Sequence, residues 1–493
     1  MSAESLTLDC VIQIFSYLEV PDLLRAAQVN KTWKEAAGTA SLWRNMCLRR
    51  WAFCNISVNP GMQTWKKYYL YRSNLEYKKV SGRPSVDYTC KAMRGHKGII
   101  NDMAYLSDNE HTFATGKVKS VVCTTSSDST VRAWDVQELV MEPTRGTATL
   151  DLILSGDRDL VQDGTQIWSS PQQEAPLENI ITFPLCKLVA TTDCRGMIKL
   201  WHGDTGEELA AFSASSSSCS VAAYTINNKP FLTVGTEEGK LYTLAAADLS
   251  QISQAKVFQN CGIDLSLCSP DGLWIVVCPT DHALSPKVCY THCATNTEDE
   301  LMLSSPLPIT DQCLVTCWLP SEPARIAILH KEQTNFRIVS LDVVIEKKSK
   351  YKMSITAQQV ADFTLPGQEP WMTKIIMKGF GKQTILIAAG LELKLYSLVG
   401  TELMAFKDHH KIITSIWVDP FHVVTSSMDL SLRVYSWKND NKFSLLISRY
   451  HLLGGSHRWS SGFRSVACDD VSIVGVVAGT DGTDILRAYS FNL

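Results

Sequence analysis

Apolar positions between residues 6 and 46 recur with the period of a helix. Leu8, Val11, Ile12, Phe15 and Leu18 gather on one face at i, i+3, i+4 and i+7 spacing. Pro21 lacks an N–H, so Val20-Pro21-Asp22 interrupts that run and suits the first turn of a second helix. Leu23, Leu24 and Ala27 give this helix an apolar stripe of its own. Lys31–Ala37 predicts a third short helix around Trp33, stopped by Gly38 at the C′ position after its last turn. Ser41 is placed to cap a fourth turn carrying Leu42 and Trp43. A unit of roughly forty residues buries too little surface to stand alone, so this density of Leu, Ile, Phe and Trp predicts a docking surface. Residues 48–51 and 65–75 also read as helix, with Trp65, Tyr68, Tyr69 and Arg72 on one side as the core stripe of a connector.

After residue 90 the period changes from helical to alternating. Thr130, Arg132 and Trp134 alternate with Val131 and Ala133, and the hydroxyl-rich residues before Asp128 suit a tight turn. Gly95-His96 precedes this unit, with Trp134-Asp135 closing it 38 residues after the histidine. Weaker copies follow. Residues 196–201 end on Trp201, and residues 425–435 follow the first unit position by position, with Asp429 six residues before Tyr435. His409 and His410 stand where Gly95-His96 would. Further strands end near Leu244, Tyr290, Leu341, Tyr396 and Tyr489. These eight endings set the number of repeats at eight, or seven if one degenerate copy is an excursion. Residues 155–176, rich in Gly, Asp, Gln, Ser and Pro, read as an inserted loop.

Two resemblances follow from these residues. Leu6-Thr7-Leu8-Asp9, Ile14 to Leu18, Asp22 to Ala27, Val29 to Trp33 and Leu42-Trp43-Arg44 resemble an F-box, with Thr7 where that family usually has Pro. The repeats resemble WD repeats, the four-stranded blades of a β-propeller. The fold expected is thus a small all-α F-box over residues 1–46, a helical linker over 47–86 and an all-β propeller over 87–493. In that family the chain's last strand leaves one outermost strand to be supplied from elsewhere, and residues 87–93 are positioned to supply it. The resemblance implies a structural role for Gly95, His96, Asp128, Trp134, Trp201, Asp429 and Tyr435. It implies adaptor binding and an internal core for Leu6, Leu8, Val11, Ile12, Ile14, Phe15, Leu18, Pro21, Leu24, Val29, Trp33, Leu42 and Trp43.

Composition narrows the function classes. Charged residues are 20% and apolar residues 45% of the 493, as in a globular protein, and a net charge of −3 gives no global push toward nucleic acid. Nine Lys or Arg between Arg44 and Arg83 face only Glu76, which reads as a solvated face or one turned to an acidic partner. The N-terminus lacks the pattern of a secretory signal, and the longest apolar runs, such as 273–278, are too short to span a bilayer. Sixteen cysteines scattered through strands point to reduced thiols and a location in cytosol, nucleus or both. Cys289, His292 and Cys293, and the pair Cys313 and Cys317, lack tight zinc-ligand spacing and read as buried free thiols. There is no Walker-type loop, HExxH or GxSxG, and Gly379-Phe380-Gly381 reads as a hairpin turn. No catalytic residue, metal or cofactor is expected.

An F-box joined to a propeller resembles the receptor subunits that dock on the Skp-type adaptor of a cullin–RING ubiquitin ligase. The resemblance implies a non-catalytic subunit whose propeller holds a protein target, with no nucleic-acid or membrane partner. The competing class is a scaffold that promotes no ubiquitin transfer. Receptors of this family that read phosphorylated segments place arginines at positions matched here by Asn101, Thr414, Ser127 and Met428, so a phosphate-independent target is expected.

Overall fold

A computed structural model describes residues 6–51, 64–107, 120–137, 165–214, 216–281, 283–294, 303–309, 312–320, 323–333, 335–349, 352–365, 374–439 and 444–491. The chain forms two compact units, the first helical and the second built of strands.

The helical unit contains α1 (Leu8–Phe15), α2 (Val20–Ala26), α3 (Lys31–Ala37), α4 (Ala40–Arg50) and α5 (Trp65–Ser81). Thr7 caps α1, its hydroxyl accepting the Cys10 N–H, and Asn30 caps α3 by accepting the Trp33 N–H at 2.8 Å. Pro21 sits in the first turn of α2 as its missing N–H dictates. The third helix ends before Gly38, which keeps a right-handed φ of −92° as the chain turns into the next helix. One local expectation fails: Thr39 rather than Ser41 occupies the N-cap of α4. That helix also runs through residue 47, where the sequence placed the start of the linker.

The strand unit is an eight-bladed propeller of four-stranded antiparallel sheets. In chain order the blades span residues 100–169, 177–213, 218–256, 263–306, 312–364, 376–406, 413–453 and 460–491. We label the strands of each blade a to d in sheet order. Blade 8 takes its strand d from Tyr88–Met93, which pairs with Ile485–Phe491 and closes the ring with the opening segment of the domain. Closure leaves no blade with a missing outer strand and removes the edges that promote aggregation. The inserted loop is corrected in part: Gln166–Ser169 forms strand d of blade 1, while 155–164 lies outside the described residues. Trp168 of this strand is buried and donates its indole N–H to the Gly203 carbonyl at 2.6 Å. Gly379 and Phe380 end a strand, and Gly381 follows in the hairpin turn at φ +55°.

The core lies between blades. Trp274, Val276 and Val288 of blade 4 pack on Trp318, Ile326 and Leu341 of blade 5, and Met93, Val474 and Leu486 of blade 8 pack on Val122 and Trp134 of blade 1. Strand a carries a β-bulge near its start in seven blades, for example between Ile100 and Asp102, which re-aims the residues that follow. Among the described residues no helix is long and apolar enough to cross a membrane.

Candidate functional site

In the helical unit, side chains of one amphipathic pattern separate into two sets. Val11, Phe15, Leu42 and Trp43 are buried, Leu8, Ile12, Leu18, Leu24 and Trp33 are half-buried, and Leu6, Ile14, Pro21 and Val29 are exposed. Phe15 meets Trp33 edge-on at 5.3 Å, and the Trp43 indole donates to the Ala37 carbonyl at 2.6 Å. These contacts join α1, α3 and α4. The buried side of α2 is formed by Leu23 and Ala26 rather than by Leu24. Leu23, Met46 and Cys47 are core residues that the sequence reading did not select for the site, although Leu23 lay in the stripe it described. What remains outside is an apolar set comprising Leu6, Ile14 at 49% exposure, Tyr17 at 83% and Val29 at 61%.

Part of the basic stretch of this unit packs on its own aromatic rings, while Arg49, Arg50, Lys67 and Arg83 stay exposed. Trp65, Tyr68, Tyr69 and Arg72 are all buried, as the stripe requires. Arg72 donates to the Tyr68 hydroxyl at 2.6 Å and lies 5.0 Å over the Trp51 ring, while Arg50 pairs with Glu76 at 2.8 Å and Lys66 lies over Trp43. Cations stacked on rings and paired with carboxylates hold α4 and α5 together.

In blade 1 the histidine network is a tie. His96 places Nδ1 3.0 Å from the Asp128 carboxylate and Nε2 2.8 Å from the Thr124 hydroxyl, and Thr124 also accepts the Trp134 indole N–H at 3.0 Å. Because Thr124 receives that N–H, its own hydrogen is available to Nε2, which leaves the proton on Nδ1 facing Asp128. Burial holds His96 below its ordinary pKa, and so neutral. Asp128 is held well below the usual carboxylate range; burial opposes this, but hydrogen bonds from His96, Thr130 and the Lys97 backbone prevail. Gly95 must lack a side chain, since a Cβ there would stand 2.7 Å from Arg132 and 2.8 Å from Trp134. Blade 2 keeps part of the tie, Trp201 donating to Thr191 at 2.9 Å.

Residues 8–49 match the family model described as F-box-like. Over its length the chain is similar to F-box/WD repeat-containing protein 12 of Homo sapiens, with 31% identity covering 97% of each chain. The chain belongs to the F-box/WD-repeat family. It is also similar to F-box/WD repeat-containing protein 15 of Mus musculus, with 27% identity over 98% of each. Among solved structures, the computationally designed protein Ika8 shares the fold at a TM-score of 0.54 and 15% identity, over 81% of this chain and 98% of its own.

Within this F-box/WD-repeat chain, the positions where phosphate readers carry arginine are occupied structurally. The Asn101 amide donates to the Leu177 carbonyl of blade 2 at 2.7 Å, and the Thr414 hydroxyl donates to the Phe463 carbonyl of blade 8 at 2.8 Å. Ser127 accepts the Ile99 N–H at 2.8 Å, and Met428 lies where a Cβ on Gly462 would collide with it. Among other arginines of the propeller, Arg464 pairs with the buried Asp484 at 3.0 Å, Arg195 lies 3.6 Å from Glu174 with both side chains exposed, and Arg433 has its Nε buried.

The cysteine–histidine candidates are dispersed. Cys289 is buried in strand c of blade 4, whereas His292 lies in the short helix α6 (Thr291–Ala294) and stacks on Tyr290. The bulge between Cys313 and Val315 turns Cys313 toward blade 4 and Cys317 toward blade 6. Among the described residues no group of three or more His, Cys, Asp and Glu is placed to hold a metal ion.

Proposed function

We propose that this protein is a non-catalytic substrate-recognition subunit of a Skp–cullin–F-box ubiquitin ligase. The observation that carries the reading is the F-box-like unit with Leu6, Ile14, Tyr17 and Val29 exposed, in one chain with an eight-bladed propeller. An apolar set of this kind suits docking by a Skp-type adaptor, whose surface would complete the core of so small a unit. The propeller then holds a protein target within reach of a ubiquitin-charged enzyme. Acceleration comes from effective concentration, and the receptor supplies no nucleophile. Cytosol and nucleus, where such ligases work, fit the free cysteines.

The test is co-purification of the full chain with the adaptor, the cullin and the RING subunit, compared with the variants Ile14→Asp and Val29→Asp. Both side chains are exposed, so the variants preserve the fold. Loss of all three partners in the variants supports the reading. Retention of the adaptor without cullin or RING subunit, in the unaltered protein, makes it a scaffold.

A further inference from the structure

One position of the blade repeat changes character around the ring. The residue just before strand a offers its carbonyl to the backbone N–H that follows strand b. In blades 2, 3 and 4 this residue is Pro176, Ser217 or Gly262, bonded to Cys194, Glu237 and Thr280 at 3.2, 3.2 and 2.9 Å. In blades 7, 8 and 1 it is Ile412, Trp459 or Ile99, bonded to Met428, Thr480 and Ser127 at 3.1, 3.1 and 2.9 Å. These three apolar side chains are 41%, 66% and 37% exposed. The three blades are consecutive around the closure: Gly462 of blade 8 abuts Met428 of blade 7, and Asp484 of blade 8 donates its N–H to the Gly98 carbonyl at 3.0 Å. Leu391, 44% exposed in the turn after strand b of blade 6, joins them, since Ile413 bonds the neighbouring Gly390 carbonyl at 2.8 Å.

Charge accompanies the apolar residues. Lys411 directly precedes Ile412, Arg458 directly precedes Trp459 with its guanidinium 5.1 Å over the ring, and Lys97 lies two residues before Ile99; all three cations are exposed. Most acids of the same turns are already paired. Asp128 and Asp429 face His96 and His409, and Asp484 is buried against Arg464. The half-buried Asp408 accepts the Ser448 hydroxyl at 2.9 Å, and Glu392 beside Leu391 pairs with Lys407 and Lys394, leaving Asp481 as the exposed acid of the blade 8 turn. On the opposite face, the large apolar side chains exposed in turns among the described residues include Leu185 and Val399, on blades 2 and 6, which are not neighbours.

We propose that the arc of Leu391, Ile412, Trp459 and Ile99 seats an acidic segment of the target protein, with apolar anchors between carboxylates that meet Lys411, Arg458 and Lys97. Single cations on a wide apolar arc suit carboxylates spaced along a chain, which need no forked pair at one point. The proposal rests on the receptor reading and names the class of target that reading leaves open.

The experiment pans a phage-displayed library of short random peptides against the full chain and measures the enriched peptide by fluorescence anisotropy. The expected peptides combine Asp or Glu with Leu, Ile, Phe or Trp. Affinity is expected to fall about tenfold or more in Trp459→Ala and in Lys411→Glu, to fall with rising salt, and to be unchanged in Leu185→Ala. Absence of enrichment, enriched peptides lacking acids, or affinity indifferent to Trp459 and Lys411 overturns the proposal. Co-purification with the adaptor and cullin is scored separately. Its failure with peptide binding intact removes the receptor reading and leaves the arc as an acidic-peptide site.

Discussion

His409 holds its Nδ1 3.0 Å from the carboxylate of Asp429. The same distance separates His96 from Asp128, and the correspondence extends outward: Nε2 of His409 lies 2.7 Å from Thr425, and the His410 N–H reaches Asp429 at 2.9 Å as the Lys97 N–H reaches Asp128. Blades 1 and 7 thus share one tie, with the Tyr435 hydroxyl reaching Thr425 where the Trp134 indole reaches Thr124.

A tie of this kind predicts loss of stability without loss of chemistry. Asp128→Ala strands His96, Thr130 and the Lys97 N–H, and Asp429→Ala strands His409, Ser431 and the His410 N–H. Each substitution is expected to cost about 2–4 kcal/mol, from removing a hydrogen-bonded charge from buried partners. Denaturant melts of the two variants should shift by similar amounts. A melt unchanged for either would mean that its tie carries no stability.

The blade count, the closing strand and the tie were legible because each depends on local features: an aromatic ending, a period of two, and a turn aspartate six residues before the aromatic. The division of the F-box-like helices into buried and exposed sides was less legible. Ile14 and Val29 are as apolar as Val11, and which of them faces outward depends on how four short helices cross. Strand d of blade 1 was missed because it has only four residues and follows a long polar stretch. The separation of Cys313 from Cys317 depends on a bulge, which adds a residue to the strand and leaves no composition signal. The arc on blades 7, 8 and 1 emerges only when the bonded position before each strand a is compared around the ring.

Asp102 predicts a pH dependence. Its carboxylate accepts the Met103 N–H at 2.9 Å and the Ile180 N–H of blade 2 at 3.1 Å, yet burial pushes its pKa up to about 6, the two backbone donors offsetting burial only in part. A carboxyl raised from its ordinary 3.8 binds protons more tightly when folded, so stability falls as pH rises from about 4 to about 6. The full effect is on the order of 3 kcal/mol. Asp102→Asn carries no charge to desolvate, so the difference in melting temperature between variant and parent should change across this window and level off above it. A constant difference would place the carboxyl in its ordinary range.

The F-box-like unit predicts a division between fold and docking. Phe15→Ala removes a buried ring packed on Trp33 and is expected to cost about 3–5 kcal/mol, with adaptor binding lost through unfolding of the unit. Tyr17→Ala removes a side chain 83% exposed and leaves helix content intact. If the exposed apolar set docks the adaptor, Tyr17→Ala weakens capture with no change in circular dichroism, and undiminished capture would place the docking surface elsewhere.

Asn101 and Thr414 decide how phosphate enters. A dianion held in a propeller loses the stronger class of contact without charge-assisted donors, each worth about 1.5–3 kcal/mol. Here the Asn101 amide and the Thr414 hydroxyl are committed to carbonyls of the neighbouring blades, and Arg464 to the buried Asp484 carboxylate. Target binding is therefore expected to survive phosphatase treatment. Asn101→Ala and Thr414→Ala should each lower stability by about 1 kcal/mol, as for one hydrogen bond lost between blades, while leaving target affinity unchanged. The measurement is retention of a captured target before and after dephosphorylation, on the parent protein and on both variants. A loss of tenfold or more after phosphatase treatment would show that other cations of the propeller read phosphate. A loss confined to the variants would instead place Asn101 and Thr414 in the target contact.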